Sequence, residues 1–365
     1  MSDALVDEVC HRAGRIAGAV DEVVRAQVDL LAPLATDTER AAIIARSIAR
    51  LDGLGALDEL VRDPDVDEVI VNRGREVWIE RDGRLTRLPD LADGAVDVIL
   101  ERVLTPLGRR LDRTSPIVDA RLPGGARLCA VVPPVAVDGP TIAIRRHRAR
   151  SVPIERFAAP AVADLLGVLV RRRANVLVTG ATSSGKTTLL AALCRSLPEA
   201  ERVVTIEDTT ELDLDDRHAV RLEARPATAD GPAPVDPVAL VRTALRLRPD
   251  RLVVGEFRGP EVLAVVQALN TGHDGSLSTC HANGTVDGLR RVETLVMQAA
   301  PSWPLAAIRR DVSRSIDAVV HLARRGDGAR RVVEVIEVVE SGDEPSGRTI
   351  ATGDDVTGEF GRGRA

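Results

Sequence analysis

Residues 175–190 read NVLVTGATSSGKTTLL, and this stretch predicts the architecture around it. Its first part, NVLVTG, is short and apolar, which indicates a buried β-strand. Its second part, Gly180 to Thr187, fits the pattern G-x-x-x-x-G-K-[ST], and the apolar run that follows predicts a helix. This pattern binds phosphate groups when it joins a strand to a helix, so we predict an α/β domain built around a phosphate loop.

The loop offers the groups that a nucleoside triphosphate needs. Its backbone N–H groups face inward at the start of a helix, where the helix dipole favours an anion. Lys186 is predicted to reach the β- and γ-phosphates, and Thr187 to ligate Mg²⁺. The alternative interpretation is a Gly/Ser loop before an ordinary helix. The predicted nucleotide contacts of the loop are Gly180, Ala181, Thr182, Ser183, Ser184, Gly185, Lys186, Thr187 and Thr188.

Lys186 is also the only lysine among the 49 Lys and Arg residues of the chain. The wide planar guanidinium of arginine cannot replace a compact ammonium between crowded phosphate oxygens. The one remaining lysine therefore stands where that chemistry is needed, which supports the phosphate-binding interpretation.

The pattern of predicted elements divides the chain into segments. Strands alternate with helices over residues 149–340, which is typical of a mostly parallel sheet and makes the fold class α/β. Residues 59–148 predict a small α+β domain, with a hairpin turn at Asp82-Gly83. Residues 1–58 predict amphipathic helices, and residues 341–365, rich in Gly, Asp and Thr, predict a disordered or weakly attached tail.

Composition excludes several classes of protein. A net charge of −6 and only three Phe, two Trp and no Tyr disfavour a generic nucleic-acid-binding surface, so no direct nucleic-acid partner is expected. The four cysteines form no C-x-x-C pair and are expected to be free thiols in a reducing compartment. The acidic stretch MSDALVDEVC lacks the pattern of a secretory leader, and because no long apolar run occurs, we expect no membrane-spanning segment. We therefore expect a cytoplasmic protein whose membrane association, if any, is peripheral and made through partners.

Acidic residues end two further predicted strands. RLVVGE ends at Glu256, which we predict to polarise the attacking water, because phosphoryl transfer gains mainly from positioning and charge stabilisation. RVVTIED ends at Glu207 and Asp208, which with Glu211 suit contact with Mg²⁺ through water. The predicted metal ligands are thus Thr187, Glu207 and Asp208. The alternatives are a surface ion pair at Glu256 and a solvated acidic loop after Glu207.

Two histidines, His273 and His281, lie eight residues apart in a segment that contains Gly and Ser. Their spacing is poor for a zinc site, so we predict neutral hydrogen-bonding or γ-phosphate-sensing roles. A purely structural role is the alternative for His273. With these residues in place, the predicted catalytic set is Lys186, Glu207, Asp208, Glu256 and His281.

Four segments in order, GATSSGKTT, TIEDTTEL, RLRPDRLVVGEFRG and TGHDGSLSTCHAN, resemble the Walker A, Asp box, Walker B and His box of the secretion and pilus-assembly ATPases. The chain is most similar to the CpaF-like branch, which powers tight-adherence (Tad) pili. Upstream, SPIVDARLPGGARLCAVVPP and TIAIRRHR resemble the N-terminal domain of that family. The resemblance covers residues 50–325 and implies a RecA-like P-loop domain that follows this smaller domain.

The resemblance also implies ligands and partners. It implies ATP and Mg²⁺, a homohexameric ring, and inner-membrane platform proteins of a pilus or secretion system. Nucleotide would lie between domains and between subunits, and arginine suits that position through its fixed charge and bidentate geometry. Solvated surface arginines are the alternative for Arg145 and Arg146. Arg145 and Arg146 match the I-R-R segment of the family by position, and Arg221 and Arg225 are further candidates for positive charge at the nucleotide.

The sequence departs from the family pattern at Ser183, where the loop usually has glycine, and at Cys280, where leucine is usual. Neither departure removes a catalytic group. The predicted function is an ATPase that couples Mg·ATP hydrolysis to Tad-type pilus assembly or to secretion. Two other hypotheses remain open, a conjugative DNA-transfer ATPase and a nucleotide-binding regulatory subunit with little hydrolysis.

Overall fold

The structure is a computed structural model that describes residues 3–81, 83–146, 152–214, 217–225, 233–326, 328–340 and 344–362. The chain divides into two compact units. The first contains the described residues up to 146, and the second contains those from 152 onward. Asp82 of the predicted hairpin turn lies outside the described residues.

The first unit begins with three amphipathic helices, α1 (Asp3–Ala13), α2 (Val20–Leu31) and α3 (Asp37–Asp52). A capping box starts α3, because Thr36 accepts the N–H of Glu39 while the Glu39 carboxylate accepts the N–H of Thr36. The apolar stripes of the helices face one another around a small valine-rich core. These helices belong to the same unit as the sheet that follows.

That sheet is antiparallel, with the strand order β3-β2-β1-β6-β5-β4 among the described residues. Buried and less buried side chains alternate along five of its strands, so one face packs on the core. The helix of residues 95–104 contributes its apolar side to that core. The elements are α4 (Asp58–Arg62), β1 (Glu68–Asn72), β2 (Glu76–Arg81), β3 (Arg84–Arg87), α5 (Ala95–Leu104), β4 (Ile117–Arg121), β5 (Arg127–Val131) and β6 (Thr141–Arg145).

The second unit is an α/β domain with a mostly parallel sheet, as the alternating pattern predicts. Its helices are α6 (Pro160–Arg171), α7 (Lys186–Arg195), α8 (Pro237–Ala244), α9 (Glu261–Leu269), α10 (Thr285–Ala299) and α11 (Leu305–Ser315). Its strands are β7 (Val176–Gly180), β8 (Val203–Glu207), β9 (Ala219–Glu223), β10 (Arg251–Phe257), β11 (Leu277–His281), β12 (Ala318–Arg324), β13 (Arg330–Val339), β14 (Ser346–Thr352) and β15 (Asp355–Val356). No helix of the described chain is long and apolar enough to cross a bilayer.

The order of these strands positions the site. It is β15-β14-β13-β12-β7-β11-β10-β8-β9 among the described residues, and every pair from β12 to β9 is parallel. Helices α6 and α7 pack on one face, and α8 to α11 pack on the other. Because neighbouring parallel strands point the same way, the carboxyl ends of β7, β11, β10 and β8 lie side by side at one edge.

The C-terminal segment corrects one expectation. Strand β14 pairs antiparallel with β13, and β15 pairs with β14, so the described residues 344–362 are not a disordered tail. Phe360 is buried against the core that includes α6, and Nε of Arg362 lies 3.0 Å from a carboxylate oxygen of the buried Asp317. The polar composition is misleading here because backbone hydrogen bonds and one buried aromatic ring are enough to fix an added strand.

Candidate nucleotide site

The backbone of the loop between β7 and α7 explains its glycines. A Cβ on Gly180 would lie 2.4 Å from the carbonyl oxygen of Leu322, so no larger residue fits. Gly185 adopts a φ of +98°, which side chains rarely tolerate. Ser183 also has a positive φ, +59°, and its side chain is exposed. The residue that departs from the family pattern therefore occupies a left-handed conformation that glycine adopts more readily.

Replacing Ser183 with glycine should leave ADP affinity unchanged or slightly tighter. The substitution relieves about 1 kcal/mol of left-handed backbone strain, partly offset by the greater freedom of glycine in the unfolded chain. An ADP titration together with a thermal unfolding scan measures both effects. A large loss of affinity, with the unfolding midpoint unchanged, would contradict this account of the loop.

Lys186 lies in the loop with its ammonium engaged. The residue is 7 % exposed, and Nζ donates to the carbonyl oxygens of Gly180 at 3.1 Å and Ala181 at 3.0 Å. Nζ also lies 3.1 Å from Nδ1 of His281. Because an ammonium can only donate, Nδ1 accepts and the ring proton of a neutral His281 is on Nε2. Burial lowers the pKa of Lys186, and burial together with the Lys186 charge lowers the pKa of His281.

Glu256 connects this pair to a second strand end. The pairing of β10 with β11 shifts register between Val254 and Phe257, so a bulge contains Gly255 and Glu256. Bulges re-aim side chains, and here Oε1 of Glu256 lies 2.7 Å from Nε2 of His281. The other oxygen of Glu256 accepts a hydrogen bond of 2.6 Å from Nε of Arg258.

Arg258 extends the contacts to a third strand end. Its Nη1 donates to Oδ2 of Asp208 at 3.1 Å. One chain of contacts thus runs from Lys186 through His281, Glu256 and Arg258 to Asp208, across the ends of β7, β11, β10 and β8. Sequence reasoning predicts four of these residues and misses Arg258. The available signal was its position two residues after Glu256, within reach of two predicted acidic groups.

Glu207, at the end of β8, has a different environment from Asp208. Its carboxylate is buried, Oε1 accepts the N–H groups of Glu211 and Leu212, and Oε2 has no hydrogen-bond partner among the described residues. Burial raises the pKa of Glu207 to about 7. A Cβ on Gly255 would lie 2.9 Å from Cγ of Glu207, so the Glu207 side chain occupies the space that a larger residue at 255 would need.

The raised pKa of Glu207 makes stability depend on pH. A carboxyl group whose folded-state pKa is raised stabilises the fold fully below its unfolded pKa near 4.5, and this stabilisation is lost as pH rises through about 7. We therefore expect wild type to lose about 3 kcal/mol of unfolding free energy relative to Glu207→Gln between pH 4.5 and pH 8. Denaturant unfolding without Mg²⁺ or nucleotide, followed by Trp303 fluorescence in a Trp78→Phe background, measures this difference. Parallel pH curves for the two proteins would contradict it.

The remaining loop residues lie between the end of β7 and the first turn of α7. Ala181, Thr182 and Ser183 are exposed, and Thr187 and Thr188 are half-buried at the start of α7. Ser184 is buried, and its Oγ has no hydrogen-bond partner within the described part of the chain. The described residues contain no group of three or more His, Cys, Asp or Glu side chains that could hold a metal ion.

His273 does not join the loop. It precedes β11, and β11 runs parallel to β7 with Leu277 opposite Val176 and His281 opposite Gly180. His273 thus lies toward the opposite edge of the sheet, where its Nδ1 is 3.2 Å from the carbonyl oxygen of Ala268. The predicted nucleotide contact of His273 is not supported by this placement, and the structural alternative fits.

Arg221 and Arg225 are also separated from the loop of their own chain. Arg221 is exposed on β9, the edge strand, with β8, β10 and β11 between it and β7. Nε of Arg225 donates to the carbonyl oxygen of Ala233 at 2.9 Å, just beyond that strand. Among the described residues, neither arginine has a hydrogen bond or ion pair with the residues of the site.

The two arginines of the first unit differ from each other. Arg145 is exposed at the end of β6 and lies opposite Glu68 of β1. Nη1 of Arg146 donates to the carbonyl oxygens of Arg62 at 3.2 Å and Asp63 at 2.6 Å, which ties this side chain to the end of α4. Arg145 therefore has the more available guanidinium of the pair.

Residues 50–356 match the family described as Type II/IV secretion system protein. The chain belongs to this family. The family relationship inferred from the four sequence motifs is thus confirmed, whereas its CpaF-like branch stays a prediction.

Individual members of the family show the extent of the similarity. A Mycobacterium tuberculosis protein assigned provisionally to conjugal transfer is 37 % identical over 313 residues, which is 82 % of this chain and 88 % of that protein. The type IV secretion system protein PtlH of Bordetella pertussis is 35 % identical over 316 residues, 77 % of this chain and 92 % of its own length. The solved pilus retraction motor PilT with bound ADP is 20 % identical with a TM-score of 0.56, over 75 % of this chain and 81 % of PilT. The likeness to PilT concerns the fold alone.

Proposed function

We propose that this chain is an ATP-hydrolysing motor of a secretion-type machine. The observation that supports the proposal best is the chain of contacts from Lys186 through His281 to Glu256. It joins the residue suited to bind phosphate with a carboxylate suited to orient water. A phosphoryl-transfer enzyme needs these two functions close together, because positioning and charge stabilisation provide most of its rate.

The residues fit a magnesium-bound triphosphate as substrate. The glycines at 180 and 185 allow the tight backbone path of a phosphate loop, and Oγ of Ser184 and Oε2 of Glu207 are buried polar atoms that lack partners among the described residues. Thr187 and the carboxylates at the end of β8 would hold the magnesium, directly or through water. When bound, the magnesium neutralises charge on the phosphate oxygens.

Within the chain, each group has a distinct role. Lys186 already holds its ammonium at the mouth of the loop and would exchange its carbonyl partners for phosphate oxygens. Glu256 would align water by accepting its hydrogen bond, and Arg258 orients that carboxylate by donating to its Oε2. Nε2 of His281 lies 2.7 Å from the other oxygen of Glu256, so His281 stands between the water-orienting carboxylate and the phosphate-binding lysine.

The separation of Arg221 from the loop of its own chain supports a ring of subunits. An exposed arginine on an edge strand is available to a nucleotide held by a neighbouring copy. We infer a homohexamer in which Arg145, Arg221 and Arg225 supply positive charge at such junctions. Platform proteins of an inner-membrane machine would be the partners, as for other members of this family.

The relatives favour one kind of machine over another. The named relatives are described as conjugal transfer and type IV secretion proteins, whereas the sequence motifs suggested a Tad pilus-assembly machine. We therefore place a conjugation or type IV secretion machine first and a Tad pilus second. Deleting the gene and scoring plasmid transfer, protein secretion and pili separates these alternatives.

The enzymatic proposal is tested by phosphate release from ATP by the purified chain. We expect turnover that requires Mg²⁺ and rises with protein concentration as the ring forms, followed in parallel by sedimentation. Binding of ATP without any phosphate release, by a chain that sediments as a hexamer, would instead support the regulatory-subunit hypothesis.

A further inference from the structure

One arginine outside the contacts described above lies against the phosphate loop. A Cβ on Gly185 would lie 2.8 Å from Cδ of Arg330. The stem of Arg330 therefore lies directly over the residue that precedes Lys186 and α7. The guanidinium begins one bond beyond Cδ, so an anion held by the loop is within its reach.

The hairpin of β12 and β13 fixes Arg330 at this place. β12 runs parallel to β7 with Leu322 opposite Gly180, and Arg324 pairs with Arg330 across the hairpin. The hairpin therefore continues past the carboxyl edge of the sheet, beside the loop. The strand ladder sets the position of Arg330, which is more precise than a placement by an irregular loop.

A second set of contacts holds the base of the hairpin. The N–H of Val332 donates to the carbonyl oxygen of Phe157 at 2.8 Å, and Nη1 of Arg331 donates to that of Arg156 at 2.5 Å. Leu322 and Val332 belong to the same buried core as Phe157. The backbone that carries Arg330 is thus anchored on both sides.

The side chain of Arg330 takes no part in these anchoring contacts. Its side chain is exposed, and among the described residues it has no hydrogen-bond or ion-pair partner. Arg331, its neighbour, is engaged with Arg156 and faces elsewhere. A fixed positive charge with five donors thus stands next to an anion-binding loop, and no described carboxylate pairs with it.

On the basis of the proposed nucleotide-binding function, we propose that Arg330 binds the diphosphate group that ATP and ADP share. Guanidinium binds phosphate oxygens in a bidentate manner, and Gly185 and Lys186 are the part of the loop built for phosphate. Arg330 would be a phosphate-binding residue supplied by the same chain that holds the loop.

The test compares three variants of the full-length protein with wild type. Arg330→Ala removes the guanidinium, Arg330→Lys keeps the charge without the fork, and Arg325→Ala removes one positive charge from the turn of the same hairpin, where the N–H of Arg325 donates to the carbonyl oxygen of Ala329. The affinities for ADP and for inorganic pyrophosphate are measured by calorimetry, with thermal unfolding as the control for folding. We expect Arg330→Ala to weaken both ligands about tenfold, Arg330→Lys to recover part of the loss, and Arg325→Ala to match wild type.

Three results would overturn the inference. Arg330→Ala could bind both ligands as wild type does. Arg330→Ala and Arg325→Ala could lose affinity equally, which would indicate a general charge effect. Arg330→Ala could weaken ADP but not pyrophosphate, which would indicate contact with the nucleoside. Failure of wild type to bind ADP would instead contradict the proposed function itself.

Discussion

Replacing Lys186 with alanine should abolish ATP turnover and weaken nucleotide binding by at least about 100-fold, because two charge-assisted contacts to phosphate, each worth about 1.5–3 kcal/mol, are lost. The ammonium is buried at the mouth of the loop, within 3.1 Å of the carbonyl oxygens of Gly180 and Ala181. The chain has no second lysine that could take its place. Phosphate release and ADP titration measure the two effects separately.

Lys186→Arg is the informative companion of this variant. It keeps the charge, but its planar fork is too wide for the space that the loop leaves, so we expect little recovery of turnover. Arg290→Ala serves as the control, because Arg290 is an exposed residue paired with Asp287 and Glu344. Equal turnover by Lys186→Ala and wild type would remove the basis of the proposed function.

Replacing Glu256 with glutamine should lower turnover by about 100- to 1000-fold while ATP affinity stays within a few-fold of wild type. Glutamine keeps the size of the side chain, so the bulge in β10 can persist. It loses the negative charge that orients water and that holds Arg258 at 2.6 Å. Turnover and binding should therefore separate, which is the pattern of a group that acts mainly in the transition state.

Glu340→Gln provides the matched control for this substitution. Glu340 is an exposed glutamate paired with Arg314, and the same chemical change there should leave turnover unaltered. A parallel fall in affinity and turnover for Glu256→Gln would point to damage of the fold instead. Unaltered turnover would show that another group orients the water.

Much of the site follows from the sequence because its residues stand at the ends of apolar strands. The apolar runs identify β7, β8 and β10 with the acids that end β8 and β10, and the phosphate-loop pattern identifies Lys186, whereas strand β11 before His281 was not predicted. Periodicity does not give the spatial order of strands, since β11 lies between β7 and β10 in the sheet. The contacts of His281 with both Lys186 and Glu256 depend on that order and could not be predicted.

Other features depend on register and close packing. His273 and His281 look alike in sequence, yet the length of β11 places them toward opposite edges of the sheet. The left-handed backbone of Ser183 and the burial of Glu207 likewise require coordinates. The polar C-terminal residues mislead because an edge strand is held mainly by its backbone, which composition does not report.

The close packing of Glu207 on Gly255 has a consequence for how this family can vary. Many phosphate-loop enzymes carry an aspartate where this chain has Gly255, and its Cβ alone would come within 2.9 Å of the Glu207 side chain. Positions 207 and 255 therefore compete for the same space. An acidic side chain can be accommodated at the end of β8 or in β10, but not at both positions. Relatives that move the carboxylate to position 255 should carry a smaller residue at 207, so the two sites are expected to change together during divergence.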